Sequence, residues 1–226
     1  MNEQTFLSRI PLFANLSDDD QSAIWQIMRL RSYRKDEVVF HKGDPGQMMY
    51  IVKTGQVRIY MVTDDEQEIS VAILGDGDFF GELAILDEKP RSASAMAMER
   101  TEAYTLHRSD FLAIVREHPE IATAIMAVLG DRLRQADELI ENLIFLDVYG
   151  RVAKKLLDLS ETYGVKSKEG ILINFRLTQR DLASMVGSTR ESVNRVLGLY
   201  QDKGLISLQH QLITIVKPDD LRKRVY

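Results

Sequence analysis

One stretch constrains the chain more than any other: from Pro119 to Leu146 the apolar residues keep a helical period. Ala122, Leu129, Ala136 and Leu143 recur every seven residues, and Ile125, Leu139 and Leu146 form the matching second row, with Arg132 interrupting it. Rows spaced in this way make an a/d seam. Met126, Leu133 and Ile140 widen the stripe on one side, so we expect that flank to pack on the helix's own domain while the seam meets a second copy of the chain. An ordinary amphipathic core helix would show the same stripe, and the pattern alone leaves both readings open.

Ahead of that helix the period is mostly that of strands. Ser17 followed by Asp18, Asp19 and Asp20 predicts a capped helix to about Met28. Short apolar or alternating runs follow at Glu37–Phe40, Met48–Val52, Gln56–Val62, Ile69–Leu74, Ala93–Met98 and Ala103–Leu106. Turn residues separate them at Gly43–Gly46, Lys53–Gly55, Thr63–Glu66 and Gly75–Asp78. Strands so spaced, with no helices between, predict a small barrel or sandwich.

Charge divides the chain in the same sense. From Val148 to Tyr226 there are 14 Lys and Arg against 8 Asp and Glu, whereas Met1–Asp147 has 15 against 26. An acidic front joined to a basic back points to a polyanion as the partner of the back. With no cysteine, disulfides, thiolate metal sites and thiolate-held clusters are excluded, which suits a cytoplasmic protein. No apolar run approaches the roughly 18 residues that span a bilayer, and Ile10–Leu16 is too short for the apolar core of a signal peptide. His41, His107, His118 and His210 have no metal-ligand spacing and no nucleophile motif is present, so neither a metal nor an enzyme activity is expected.

Within the front lies Gly81-Glu-Leu-Ala84, followed by Pro90-Arg-Ser-Ala93. Glycine beside small residues lets consecutive backbone N–H groups converge on an anion. Arg91 would add a permanent cationic fork, and Ser92 further donors. Glu82 repels a phosphate but suits a ribose hydroxyl on the same ligand; a turn with a surface ion pair is the simpler alternative. These segments, with Gly43-Asp-Pro-Gly46 and Gly55-Gln-Val-Arg58, resemble the phosphate-binding cassette of cyclic-nucleotide-binding domains. The resemblance implies a ribose contact for Glu82 and cyclic-phosphate contacts for Arg91 and Ser92, with Gly81, Leu83, Ala84 and Ala93 completing the cassette.

In the basic back, a helix is expected from Asp147 to about Tyr163 and a loop over Gly164–Gly170. Thr178-Gln-Arg-Asp181 and Ser188-Thr-Arg-Glu191 read as two capping boxes. Ala183 is small where two helices would meet, Gly187 permits a tight turn, and Leu182, Val186, Val193 and Val196 face inward, as in a helix-turn-helix. Leu205–Ser207 and Leu212–Val216 would add a wing. The second helix would expose Thr189, Arg190, Glu191, Asn194 and Arg195, beside Ser188, to the major groove, where arginine grips guanine and glutamate accepts from cytosine. Thr178 and Gln179 are placed for phosphate contacts.

Taken together, the chain resembles the cyclic AMP receptor protein/fumarate-nitrate regulator (Crp/Fnr) superfamily of transcription regulators, through Asn142–Ala153 and Val186–Leu197 in particular. The resemblance implies an α+β fold with a sensor β-roll over 1–118, a long dimerisation helix and hinge over 119–147, and a winged helix-turn-helix over 148–226. It also implies a homodimer, a cyclic nucleotide effector with cyclic AMP foremost, and double-stranded DNA with inverted TGTGA-like half-sites read by Arg190, Glu191 and Arg195. RNA polymerase is a further partner to expect, and no membrane. One departure concerns the effector: members that bind cyclic AMP typically offer two adjacent hydroxyl residues to adenine, and here those positions are Ala136 and Asp137. An ionised aspartate only accepts, which matches the N1–H and N2 amine of guanine. A guanine nucleotide, a haem, no ligand at all, or service as a nucleotide-binding regulatory subunit are therefore the alternatives.

Overall fold

A computed structural model describes residues 6–63, 68–175, 177–209 and 212–225. Most of the expected turn at Thr63–Glu66 lies outside the described residues, as does His210. Contacts divide the chain into two units, Met1–Met61 with Val71–Arg134, and Val62–Ser70 with Gln135–Tyr226.

The first unit opens with α1 (Asp18–Ile27), whose cap Ser17 accepts from the Asp20 N–H at 3.2 Å. Two four-stranded sheets follow. One runs β1 (Arg29–Tyr33), β8 (Thr101–His107), β3 (Met48–Thr54), β6 (Phe79–Phe80). The other runs β2 (Val38–Phe40), β7 (Ser94–Ala97), β4 (Val57–Val62), β5 (Glu68–Leu74). The pairs β1·β8, β3·β8, β3·β6, β2·β7 and β4·β7 are antiparallel. Strand β3 explains why the run from Met48 is apolar throughout: alternate side chains point to opposite faces, and both faces are covered. Met49 and Ile51 join Phe79, Leu106, Phe111 and Ile121 in a core beneath the helices. Tyr50 and Val52 join Phe80, Ala95 and Ala103 in the interior between the sheets.

The short α2 (Glu82–Asp87) follows β6, α3 (Arg108–Glu117) follows β8, and α4 (Glu120–Phe145) is the expected long helix. Its two sides are the reverse of our expectation. Ile121 and Ile125 are buried, and Ala124, Val128 and Leu129 pack on the first unit's core. Met126, Leu133 and Ile140, assigned to the packed flank, are 63, 64 and 54% exposed. Ile125 and Leu129, counted on the seam, therefore meet the helix's own domain and the flank row is left to solvent: the heptad spacing marks an apolar stripe without saying which edge of it faces the sheet.

In the second unit, α5 (Val148–Tyr163) starts at Asp147, whose carboxylate accepts from the Gly150 N–H at 2.8 Å. The expected loop over Gly164–Gly170 is instead β9 (Gly164–Ser167) turning into β10 (Gly170–Ile173). Strand β9 is exposed along its whole length, so no apolar alternation marks it. With β11 (Ile206–Gln209) and β12 (Leu212–Ile215) it completes a sheet of order β11-β12-β10-β9. Between the hairpins lie α6 (Gln179–Met185) and α7 (Arg190–Asp202), and α8 (Pro218–Arg222) ends the fold.

Gly170 has φ +140, and a Cβ there would stand 2.1 Å from the Ile215 carbonyl oxygen of the neighbouring strand. Gly170→Ala should therefore cost more than about 2 kcal/mol, since backbone must shift to admit the methyl. A calorimetric midpoint equal to the parent's would contradict that close approach.

Candidate functional site

The first unit gathers Gly81, Glu82 and Arg91 in one place. Arg91 is held by its own backbone, whose N–H donates to the Asp44 carbonyl while its carbonyl accepts from the Gly43 N–H, both at 2.9 Å. Arg91 as a whole residue is 5% exposed. Nη1 donates to the Gly81 carbonyl and Nη2 to that of Met48, each at 2.7 Å. Its face rests on the Phe40 ring, Cζ lying 4.2 Å from the centroid. Only glycines allow this approach: a Cβ on Gly81 would stand 2.5 Å from Arg91 Nη1, and one on Gly46 would stand 2.4 Å from Ala84 Cβ and 3.0 Å from Arg91 Cζ.

Such burial pushes the Arg91 pKa below the ordinary arginine value, against the opposing fields of Tyr50, Glu82 and Asp44. Among the described residues no carboxylate forms an ion pair with it. Its Nε is buried and has no acceptor. A buried cation in this condition carries an uncompensated charge and an unused donor, both of which an anion's oxygen would satisfy.

Glu82 is 3% exposed, and its Oε1 accepts from Arg132 Nη1 at 2.8 Å. Arg132 also donates to the Phe79 carbonyl and lies over that ring, 5.0 Å from its centroid. The sequence shows Arg132 only as a break in an apolar row; the signal was the break itself, a charge where the packing row called for a leucine. Of the remaining cassette residues, Ala84 is buried, Ala93 half-buried, and Leu83 and Ser92 exposed. Ala136 and Asp137 belong to the second unit, one half-buried and the other exposed.

In the second unit, Thr178 forms the expected capping box with Asp181, its Oγ1 accepting from the Asp181 N–H at 3.1 Å. The next cap differs from expectation. Thr189, not Ser188, caps α7, accepting from the Ser192 N–H at 3.2 Å, so the acid at 191 lies in the first turn without closing a box. Gly187, at φ +58, makes the turn between the helices. Leu182, Ala183, Val186, Val193 and Val196 are buried, which leaves Gln179, Thr189, Arg190, Glu191 and Arg195 exposed on the outer side. Asn194, expected to be exposed, is half-buried with its Oδ1 enclosed and without a partner. Ser188, Thr189 and Arg190 line one cleft with Arg180 and Ala183. Among the described residues no cluster of His, Asp and Glu could hold a metal ion, and no helix is long and apolar enough to cross a membrane.

Residues 30–118 match the model of the cyclic nucleotide-binding domain, and residues 150–224 that of the Crp-like helix-turn-helix domain. The chain is 32% identical over 218 residues to the CRP-like cAMP-activated global transcriptional regulator of Mycobacterium tuberculosis, covering 96% of this chain and 97% of that protein. It is 37% identical over 198 residues to the cyclic AMP receptor protein of Thermus thermophilus, covering 88% of each. Among solved structures, the c-di-GMP-responsive global regulator CLP of Xanthomonas campestris is similar at a TM-score of 0.80 and 26% identity, over 88% of this chain and 99% of that one. A β-rich nucleotide-binding unit, a long helix and a winged helix-turn-helix in this order, with relatives matched over nearly their full length, place the chain in the Crp/Fnr family of DNA-binding transcription regulators.

Proposed function

We propose that this regulator is a homodimer whose affinity for DNA is set by a cyclic nucleotide bound in the sensor roll. Arg91 carries the reading: a buried arginine with no ion-pair partner among the described residues and one N–H lacking an acceptor is stabilised by a ligand that brings its own negative charge. A cyclic phosphate does so, with the Ser92 hydroxyl and the backbone of Gly81, Leu83, Ala84 and Ala93 as further donors. Arg132 removes the difficulty that Glu82 presents beside a phosphate. It neutralises the carboxylate through Oε1 and leaves Oε2 to accept from a ribose hydroxyl.

Cyclic AMP is the first effector to test, since two similar proteins carry it in their names. A guanine nucleotide is the second reading, resting on Ala136 and Asp137: the alanine offers adenine no hydrogen bond, and the aspartate accepts from two guanine donors. The Xanthomonas protein, named as responsive to c-di-GMP, is in keeping with it. Dimerisation is supported by the row of Met126, Leu133 and Ile140, each more than half exposed on one long helix. In the dimer two α7 helices would enter successive major grooves about 34 Å apart. Arg190 and Arg195 would grip guanines and Glu191 accept from cytosine in TGTGA-like half-sites, with Ser188, Thr189 and Asn194 beside them and Thr178 and Gln179 setting the register through phosphate contacts. RNA polymerase is the further partner of the bound dimer, and the cytoplasm its place.

Calorimetric titration with cyclic AMP, cyclic GMP and c-di-GMP, alongside fluorescence anisotropy on duplexes selected from a random pool, tests both readings. We expect one nucleotide to bind and to tighten duplex binding at least about tenfold, the size of a modest differential affinity between two arrangements. Cyclic AMP binding with no response to guanine nucleotides ends the second reading. Indifference to every nucleotide ends the first.

A further inference from the structure

Within the second unit, three contacts tie the last turns of α4 to the elements that present α7. Lys154 on α5 donates to Glu138 on α4 at 2.7 Å and to Asp158, one turn along α5, at 2.8 Å. Arg151, on the same side of α5, spans the joint: Nη1 donates to the Leu146 carbonyl at 2.7 Å, and Nε to the Val186 carbonyl at 2.8 Å. Leu143 closes against the turn before α7, its Cδ2 lying 2.9 Å from where a Cβ on Gly187 would stand. Burial opposes the charge on Lys154, but the hydrogen bonds to Asp158 and Glu138 outweigh it and raise its pKa, and the same bond lowers that of Glu138.

We infer that Glu138 and Lys154 are positioning residues for DNA reading: their ion pair sets the angle between α4 and α5, and Arg151 passes that angle to the reading turn. The reasoning is geometric. Of the two carboxylates that Lys154 bonds, only Glu138 lies across the joint, so of these two ion pairs only that one resists bending there. Asp158 shares a helix with Lys154 and can hold the ammonium in place without constraining α4. Arg151 bonds two carbonyls with one rigid fork, so the carbonyl at the joint and the one before Gly187 keep a fixed separation. A change of angle at Leu146 is therefore delivered to α7 rather than absorbed in the side chains between. This inference rests on the proposed DNA-binding function.

The test uses the full chain and two readouts, hydrogen exchange of the amides over residues 142–150 and anisotropy on a selected duplex. Glu138→Gln and Lys154→Gln should each speed exchange at the joint and weaken duplex binding about two- to fivefold, the range that a half-exposed ion pair supplies. Their combination should do no more than either alone, because the one bond that crosses the joint is lost in all three cases. Asp158→Asn should leave both readouts at parental values, and in that background, where no like charge meets the new carboxylate, the reversed pair Glu138→Lys with Lys154→Glu should restore slow exchange. Parental exchange in Glu138→Gln, or an equal effect from Asp158→Asn, overturns the inference. Should the parent itself ignore duplex DNA, the functional reading fails while the exchange arm still decides whether the pair holds the joint.

Discussion

Arg91→Gln is expected to weaken cyclic-nucleotide binding by at least about a hundredfold while leaving the thermal midpoint near that of the parent. Hydrogen bonds between a guanidinium and a phosphate are charge-assisted and contribute about 1.5–3 kcal/mol each, so losing two exceeds the roughly 2.7 kcal/mol that a hundredfold requires. Stability responds to opposing terms. The glutamine amide gives up one of the two bonds to the Gly81 and Met48 carbonyls, but it also removes the charge of a buried residue that has no ion-pair partner among the described residues. Arg91→Lys separates charge from shape: an ammonium keeps the charge but cannot bridge both carbonyls with its remaining donors aimed at a ligand. It should bind more weakly than the parent and more tightly than Arg91→Gln. Calorimetric titration beside scanning calorimetry reads both quantities, and parental affinity in Arg91→Gln would remove this residue from the site.

The second large effect is expected at the exposed row of α4. If the proposed dimer forms along this row, Leu133→Glu combined with Ile140→Glu should convert it to monomer at micromolar concentration and abolish tight duplex binding. Both side chains are more than half exposed within a single chain, so the intramolecular cost is small. Across a dimer seam each carboxylate would face its symmetry mate, and burying an unpaired charge costs several kcal/mol. Duplex affinity falls as well because two half-sites are no longer read by one molecule. Sedimentation velocity decides the first statement and anisotropy the second. A double variant that sediments with the parent places the interface elsewhere.

Much of the fold follows from residue patterns because most elements carry a periodic apolar face or a capping side chain. Strand β3 and helices α5 and α7 are of this kind. Strand β1 is not: Arg29, Leu30, Arg31 and Ser32 are all exposed, and the strand is held by its ladder to β8 rather than by a buried face. Helix α3 is capped by His107, which lies outside the usual capping set, so its start carries little signal. The candidate site was legible through the glycines and Arg91, whose spacing is local. Arg132 was not, since its bond to Glu82 joins residues 50 positions apart and no periodic rule links them. The reversed sides of α4 have a similar cause. Heptad counting finds a stripe but cannot say which edge of it meets the sheet, and that depends on where Ile121 and Ile125 enter the core.

Strand β3 acts as a party wall, with Met49 and Ile51 furnishing one room and Tyr50 and Val52 the other. The two rooms share plaster but no furniture. The Tyr50 side can therefore be refurnished while the helical side keeps its contents, so a change of packing near Arg91, whose guanidinium lies 5.7 Å from the Tyr50 ring centroid, requires no rebuilding of the frame.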